Sequence, residues 1–144
     1  MAGKVITNPT GAYGLTGLDQ QGWSETAQLA VSTAAVTFKQ VVQVDTNGYT
    51  CRVATTTPNP LTLGVTTTSA PVGGVVNVVV QGAVGAVPYT GTAPAAGDIL
   101  IQSATTAGRV AVNNTPGIGQ SIGRAVGPGS GGLVDVWVGP AYLS

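Results

Sequence analysis

The stretch Gly74-Val75-Val76-Asn77-Val78-Val79-Val80-Gln81-Gly82-Ala83-Val84-Gly85-Ala86-Val87 decides how this chain is read. In an extended strand successive side chains point to opposite faces. Val76, Val78 and Val80 therefore share one face, and Val75, Asn77, Val79 and Gln81 the other. β-Branched side chains are stiff at χ1 and fit a pleated surface. Both faces are largely apolar, which predicts a central strand covered on both sides. Gly73 and Gly74 punctuate its start and Gly82 and Gly85 its far end, so residues 83–87 either extend it or follow it.

Working outward, Val41-Val42-Gln43-Val44 and Tyr49-Thr50-Cys51-Arg52-Val53 flank Asp45-Thr46-Asn47-Gly48. Asn-Gly supplies the positive φ angles of a tight hairpin turn, so these two runs are expected to pair. Further strands are expected over residues 61–66, 98–102, 109–112, 121–126 and 133–138, with Pro/Gly loops over 55–60 and 88–97. Residues 27–36 stay open. Ser24-Glu25-Thr26 could cap a short helix there, whereas Val31, Thr33 and Val36-Thr37-Phe38 favour a strand.

The chain also carries an internal echo. Leu63-Gly64-Val65 followed by Gly74-Val75-Val76-Asn77-Val78 has a counterpart in Ile122-Gly123-Arg124 followed by Gly132-Leu133-Val134-Asp135-Val136. Asn47-Gly48 with Arg52-Val53 loosely matches Ala107-Gly108 with Arg109-Val110. The offset falls from 60 (Gly48 to Gly108) through 59 (Gly64 to Gly123) to 58 (Gly74 to Gly132), as loop shortening in a second copy would produce. The reading is two similar halves over about residues 38–82 and 97–139; the alternative is a chance match between Gly-rich valine strands. If the halves correspond, Val76/Val78/Val80 and Val134/Val136/Val138 are equivalent core faces. The opposite face, with Val79 and Trp137, is too apolar for bare solvent and needs another element or subunit over it.

Only 7% of the residues are charged, against roughly a quarter in ordinary soluble proteins, and five basic and five acidic residues cancel. That leaves no electrostatic footprint for nucleic acid or an anionic membrane. No run approaches the ~20 apolar residues of a membrane span, and the N-terminus has no apolar signal region. There is no histidine and a single cysteine, Cys51, which reads as a small buried hydrophobe. The five acids are scattered singly. Asp45-Thr46-Asn47-Gly48 starts like a calcium loop but lacks the later ligands. No catalytic, cofactor-binding or metal-binding residues are assigned. Valine and threonine runs punctuated by 22 Gly and 9 Pro give an all-β class, a small barrel or sandwich of about 8–10 short strands. Residues 1–27 form a polar N-terminal arm ahead of one β-barrel domain over residues 28–144. The arm carries Tyr13, Leu15, Leu18 and Trp23, and is either loose or ordered by docking.

Taken together, residues from about 38 to 138 resemble the small capsid decoration proteins of tailed phages, also called cement or head-stabilising proteins, whose compact barrel is sometimes called a β-tulip. The resemblance rests on Val41-Val42-Gln43-Val44, Leu63-Gly64-Val65, the Gly74 to Gly82 strand, Gly97-Asp98, Ile122-Gly123-Arg124-Ala125 and Val134-Asp135-Val136. The long N-terminal arm departs from it. The resemblance implies a non-enzymatic virion protein, made in the host cytoplasm and often trimeric, that docks on the outer surface of the major capsid protein lattice and stabilises the head. No cofactor, nucleic acid or membrane is implied. Tyr13, Leu15, Leu18 and Trp23 are then expected to anchor the arm, and Val79 and Trp137 to contact the capsid or another subunit. The rival readings are a tail, fibre or receptor-binding β-module that recognises glycan, and a small hydrolase. Only two Trp, four Tyr and one Phe are available to build a glycan platform.

Overall fold

The computed structural model describes residues 26–45, 50–57 and 62–139. Every helix or strand among them is a strand: β1 (Thr26–Ser32), β2 (Val41–Val44), β3 (Thr50–Val53), β4 (Thr62–Thr66), β5 (Val75–Pro88), β6 (Ile99–Gln102), β7 (Val110–Val112), β8 (Ser121–Ala125) and β9 (Leu133–Val138). Those from β4 on, β5 apart, lie within a residue of their expected ends. β5 runs unbroken past Gly82, so residues 83–87 extend it. Of the open stretch 27–36, residues 27–32 are strand, 33–35 leave it in a bend, and Val36 makes an isolated bridge to Ala70. β1 begins at Thr26, inside the stretch read as an arm. The Asn47-Gly48 turn lies outside the described residues, but its flanks pair as a hairpin requires, Val42 with Val53 and Val44 with Cys51.

The fold is a small all-β barrel with added strands. β1 pairs antiparallel with β5 on one side and parallel with β3 on the other. Together with the β3–β2, β2–β4 and β4–β5 ladders this closes a five-stranded ring, β1-β3-β2-β4-β5. Closure pairs every edge that an open sheet would expose. β5 is long enough to leave that ring, and from Gly82 to Pro88 it pairs instead with β9. β9-β8-β6-β7 continue the sheet. A parallel bridge from Tyr89 to Val110 then brings β7 back to the chain just beyond β5, closing a second, looser ring. β5 is therefore the last strand of the first barrel and the first strand of the second.

The two ladders share connectivity and register. Val42 faces Gly64, and the pairing then slips so that Gln43 faces Thr62; Leu100 faces Gly123, and the pairing slips so that Ile101 faces Ser121. Val65 faces Val79 as Arg124 faces Trp137. Even the lead-in turns correspond. Lys39 donates its N–H to Thr66 O as Gly97 does to Ala125 O, at 2.9 and 2.8 Å. This register aligns Arg52 with Ala111, because they face Gln43 and Ile101, so Arg52 does not match Arg109. At Gly64 and Gly123 the neighbouring strand comes so close that an added Cβ would sit 2.1 Å from Val79 O and 2.0 Å from Trp137 O. Only glycine fits there.

Two apolar clusters fill the interior. One holds Ala30, Val42, Cys51, Val76 and Val78 inside the first barrel. The other joins the interior of the second barrel (Leu100, Val110, Val134, Val136, Val138) to residues on the outside of the first: Val41, Ala54, Val65 and Val79. Removing each such valine from water contributes about 1.5–3 kcal/mol. The expected double covering of β5 is real only around Val78 and Val79; at Val75 the outer face is 59% exposed. The reason is tertiary: the second barrel packs over the outer face of β5 at Val79, in the middle of the strand, and leaves Val75, Gln81 and Ala83 exposed.

Candidate functional site

Among the described residues no group of three or more His, Cys, Asp or Glu could hold a metal ion. Cys51 is fully buried, and its burial, followed by the nearby Asp45 carboxylate, pushes the thiol up from its ordinary value. The described acids serve the scaffold. Asp45 lies 3.7 Å from Arg52 and accepts the Thr33 hydroxyl. Asp98 accepts Ala95 N–H at 2.8 Å and the Asn114 amide at 3.0 Å, and these bonds hold its carboxyl below the ordinary carboxylate range. Asp135 accepts Ala86 N–H at 2.9 Å. That bond pins the bulge where β5 shifts register against β9 and Ala86 takes φ 58°. Lys39 Nζ donates to Gly85 O in the same bulge.

The remaining candidate features among the described residues are surfaces. On the outside of the β1–β5 pair, Leu29 (71% exposed) and Val31 (40%) lie beside Val75, with Val31 and Val75 directly opposite each other. Val72 (68% exposed) adds to them from the turn before β5, which is tied to β1 by Ser32 N–H to Gly74 O and Gly73 N–H to Ser32 O. Side chains this apolar and this exposed on one face make a candidate contact surface. A second surface is the outside of β8 and β9. Arg124 is exposed there, with its guanidinium on Gly97 O at 2.9 Å, and Trp137 is half-buried on the facing strand.

The contact residues expected from sequence separate. Trp137 lies on an outer face. Val79 is fully buried in the joint core, so the covering it required comes from another part of the same chain and it is closed to a partner. Tyr13, Leu15, Leu18 and Trp23 lie outside the described residues. Leu29, Val31 and Val72 were missed. The signal was alternation in the run Leu29-Ala30-Val31-Ser32, but it is inverted: the small Ala30 and Ser32 are buried and the larger aliphatics point out. Reading size as burial hides such a face.

No known family profile matches the chain, and no curated protein sequence does. Among solved structures it is similar to the head fiber gp8.5 N base of bacteriophage phi29, with a TM-score of 0.51 over 80% of this chain and 94% of that one, at 16% identity. At that identity the similarity is one of fold.

Proposed function

We propose that this protein is a non-enzymatic structural component of a tailed-phage virion, a decoration protein that docks as a homo-oligomer on the outer surface of the major capsid lattice and stabilises the head. The observation that carries this reading is the shared fold with a phage head-fibre base over most of both chains. The exposed aliphatic face of Leu29, Val31, Val72 and Val75 supports it, since a lattice-docking protein needs an apolar contact that charge does not supply. Many copies, each burying a modest area, stabilise a shell because anything that binds the assembled state shifts the equilibrium towards it. In this reading Tyr13, Leu15, Leu18 and Trp23 anchor the N-terminal segment on a neighbour.

The name of that structural neighbour favours a second reading, in which the two barrels form a base from which a fibre projects. Capsid binding is common to both. The test is to mix the purified full chain with capsids stripped of it and sediment them. The protein is expected to pellet with the shells, and Leu29→Asp with Val75→Asp to lower occupancy at least about tenfold. A chain that stays in the supernatant at every concentration overturns the proposal.

A further inference from the structure

We infer that the end of the first barrel rimmed by Val44, Leu63 and Val80 is the seat of Trp23 of the same chain. At this end β5 leaves the first barrel and β1 enters it, with Thr26 opposite Gln81. Leu63 and Val80 pack on the barrel interior and Val44 ends β2 beside them, yet all three are only half-buried. The register supplies their counterparts in the second barrel: Val44 matches Gln102, Leu63 matches Ile122 and Val80 matches Val138. Those three are buried, at 1, 4 and 2% exposure. The same end of the same ladder is thus closed in the second barrel and partly open in the first.

What closes the second barrel is the first. Ile122 and Val138 share an apolar cluster with Val65 and Val79 from the outside of the first barrel. Gln102 accepts the Thr62 hydroxyl at 2.9 Å and donates to Thr55 O and Thr57 O at 2.7 and 2.6 Å. Part of this closure comes from the strand that feeds the second barrel, because Val79 lies in the first half of β5. The segment that feeds the first barrel is residues 1–25.

The register carries the comparison one step further. Gln28 faces Val78 as Val84 faces Val136, and Val78 and Val136 are themselves matched, so Gln28 corresponds to Val84. Five residues before Val84 stands Val79, fully buried against the interior of the second barrel; five residues before Gln28 stands Trp23. Trp23 precedes Thr26 by three residues, a reach of about 10 Å along an extended chain. An indole buries about 150–250 Å², which suits an opening rimmed by three aliphatic side chains. Seated there, Trp23 serves the fold, and Tyr13, Leu15 and Leu18 are left to anchor the segment on a neighbour.

This inference does not rest on capsid binding, and its test uses the isolated full chain. Labelled with 5-fluorotryptophan, the chain gives two fluorine signals, and Trp23→Phe identifies the one from residue 23. That signal is expected to stand away from its position in the urea-unfolded chain and to stay there across the micromolar range, as contact within one chain requires. Leu63→Ala on the rim is expected to move it, and Leu29→Asp, on the outer face of β1, to leave it in place. Trp23→Ala is expected to lower the folding equilibrium constant at least about tenfold, whereas Tyr13→Ala with Leu18→Ala leaves it unchanged. A signal like that of the unfolded chain, one that moves only at high concentration because another copy fills the seat, one indifferent to Leu63→Ala, or a Trp23→Ala chain as stable as wild type would each overturn the inference.

Discussion

The first and second barrels use one ladder and solve its outer face in two ways. Val65 and Val79 are sealed beneath the second barrel, while Arg124 and Trp137, at the matching positions, stand at the surface. The lead-in turns differ in the same spirit. Gln40 and Asp98 both accept the N–H three residues back, from Thr37 and Ala95, each at 2.8 Å, but only Asp98 is ionisable. Lys39 holds φ 66° where Gly97 holds φ 88°, so the first turn keeps a strained non-glycine whose ammonium reaches the β5 bulge. Topology fixes where a side chain points. What lies over it decides which side chain is tolerated.

The hardest blow to this comparison falls on its shared element. Gly64→Ala and Gly123→Ala each push a Cβ into a facing carbonyl, so both are expected to cost about 3 kcal/mol or more. Because β5 belongs to both barrels, each variant should lower a single cooperative melting transition. Two separate transitions, with only one moved by each variant, would show that the barrels unfold independently.

A smaller effect separates the faces. Val79→Ala removes two methyl groups from a fully buried site and is expected to cost about 2 kcal/mol by denaturant unfolding. Trp137→Val, which installs the residue type of the covered face, is expected to cost less than half of that. Equal losses would mean that Trp137 belongs to the core as much as Val79 does.

The smallest effect is electrostatic. Asp98 has a depressed pKa in the folded chain, so its contribution to stability is present above its ordinary unfolded value and is lost as pH falls through that value towards the folded one. The carboxyl is open to solvent, which screens its charge, so the change is slight. Asp98→Asn should flatten this part of the acid limb, because the amide oxygen can still accept Ala95 N–H as Gln40 does for Thr37 N–H. An unchanged acid profile in the variant would remove Asp98 from the account.

Much of the fold was legible. The extent of β9 and the buried faces of Val76/Val78 and Val134/Val136/Val138 follow from two-residue alternation, which any half-buried strand must show. β1 was less legible, because small residues face inward and leave no hydrophobic peak. The misaligned Arg52 and Arg109 have a similar origin: hairpin residues that face solvent carry no pattern to fix the register. The candidate contact faces were legible only in part. Trp137 stood out by type, whereas Leu29, Val31 and Val72 look like core residues until burial is measured.

By itself the sequence determined an all-β chain of short strands around a long valine-rich one, because β-branched alternation and Gly/Pro punctuation act locally along the backbone. That β5 serves two barrels was decided only in three dimensions, since β1 and β9 reach it from opposite ends of the described chain. The same holds for Val79 and Trp137. Equivalent in register, they part company because the second barrel packs fully over Val79 while Trp137 stays half-buried; burial is a property of neighbours, and a strand's own residues do not name them.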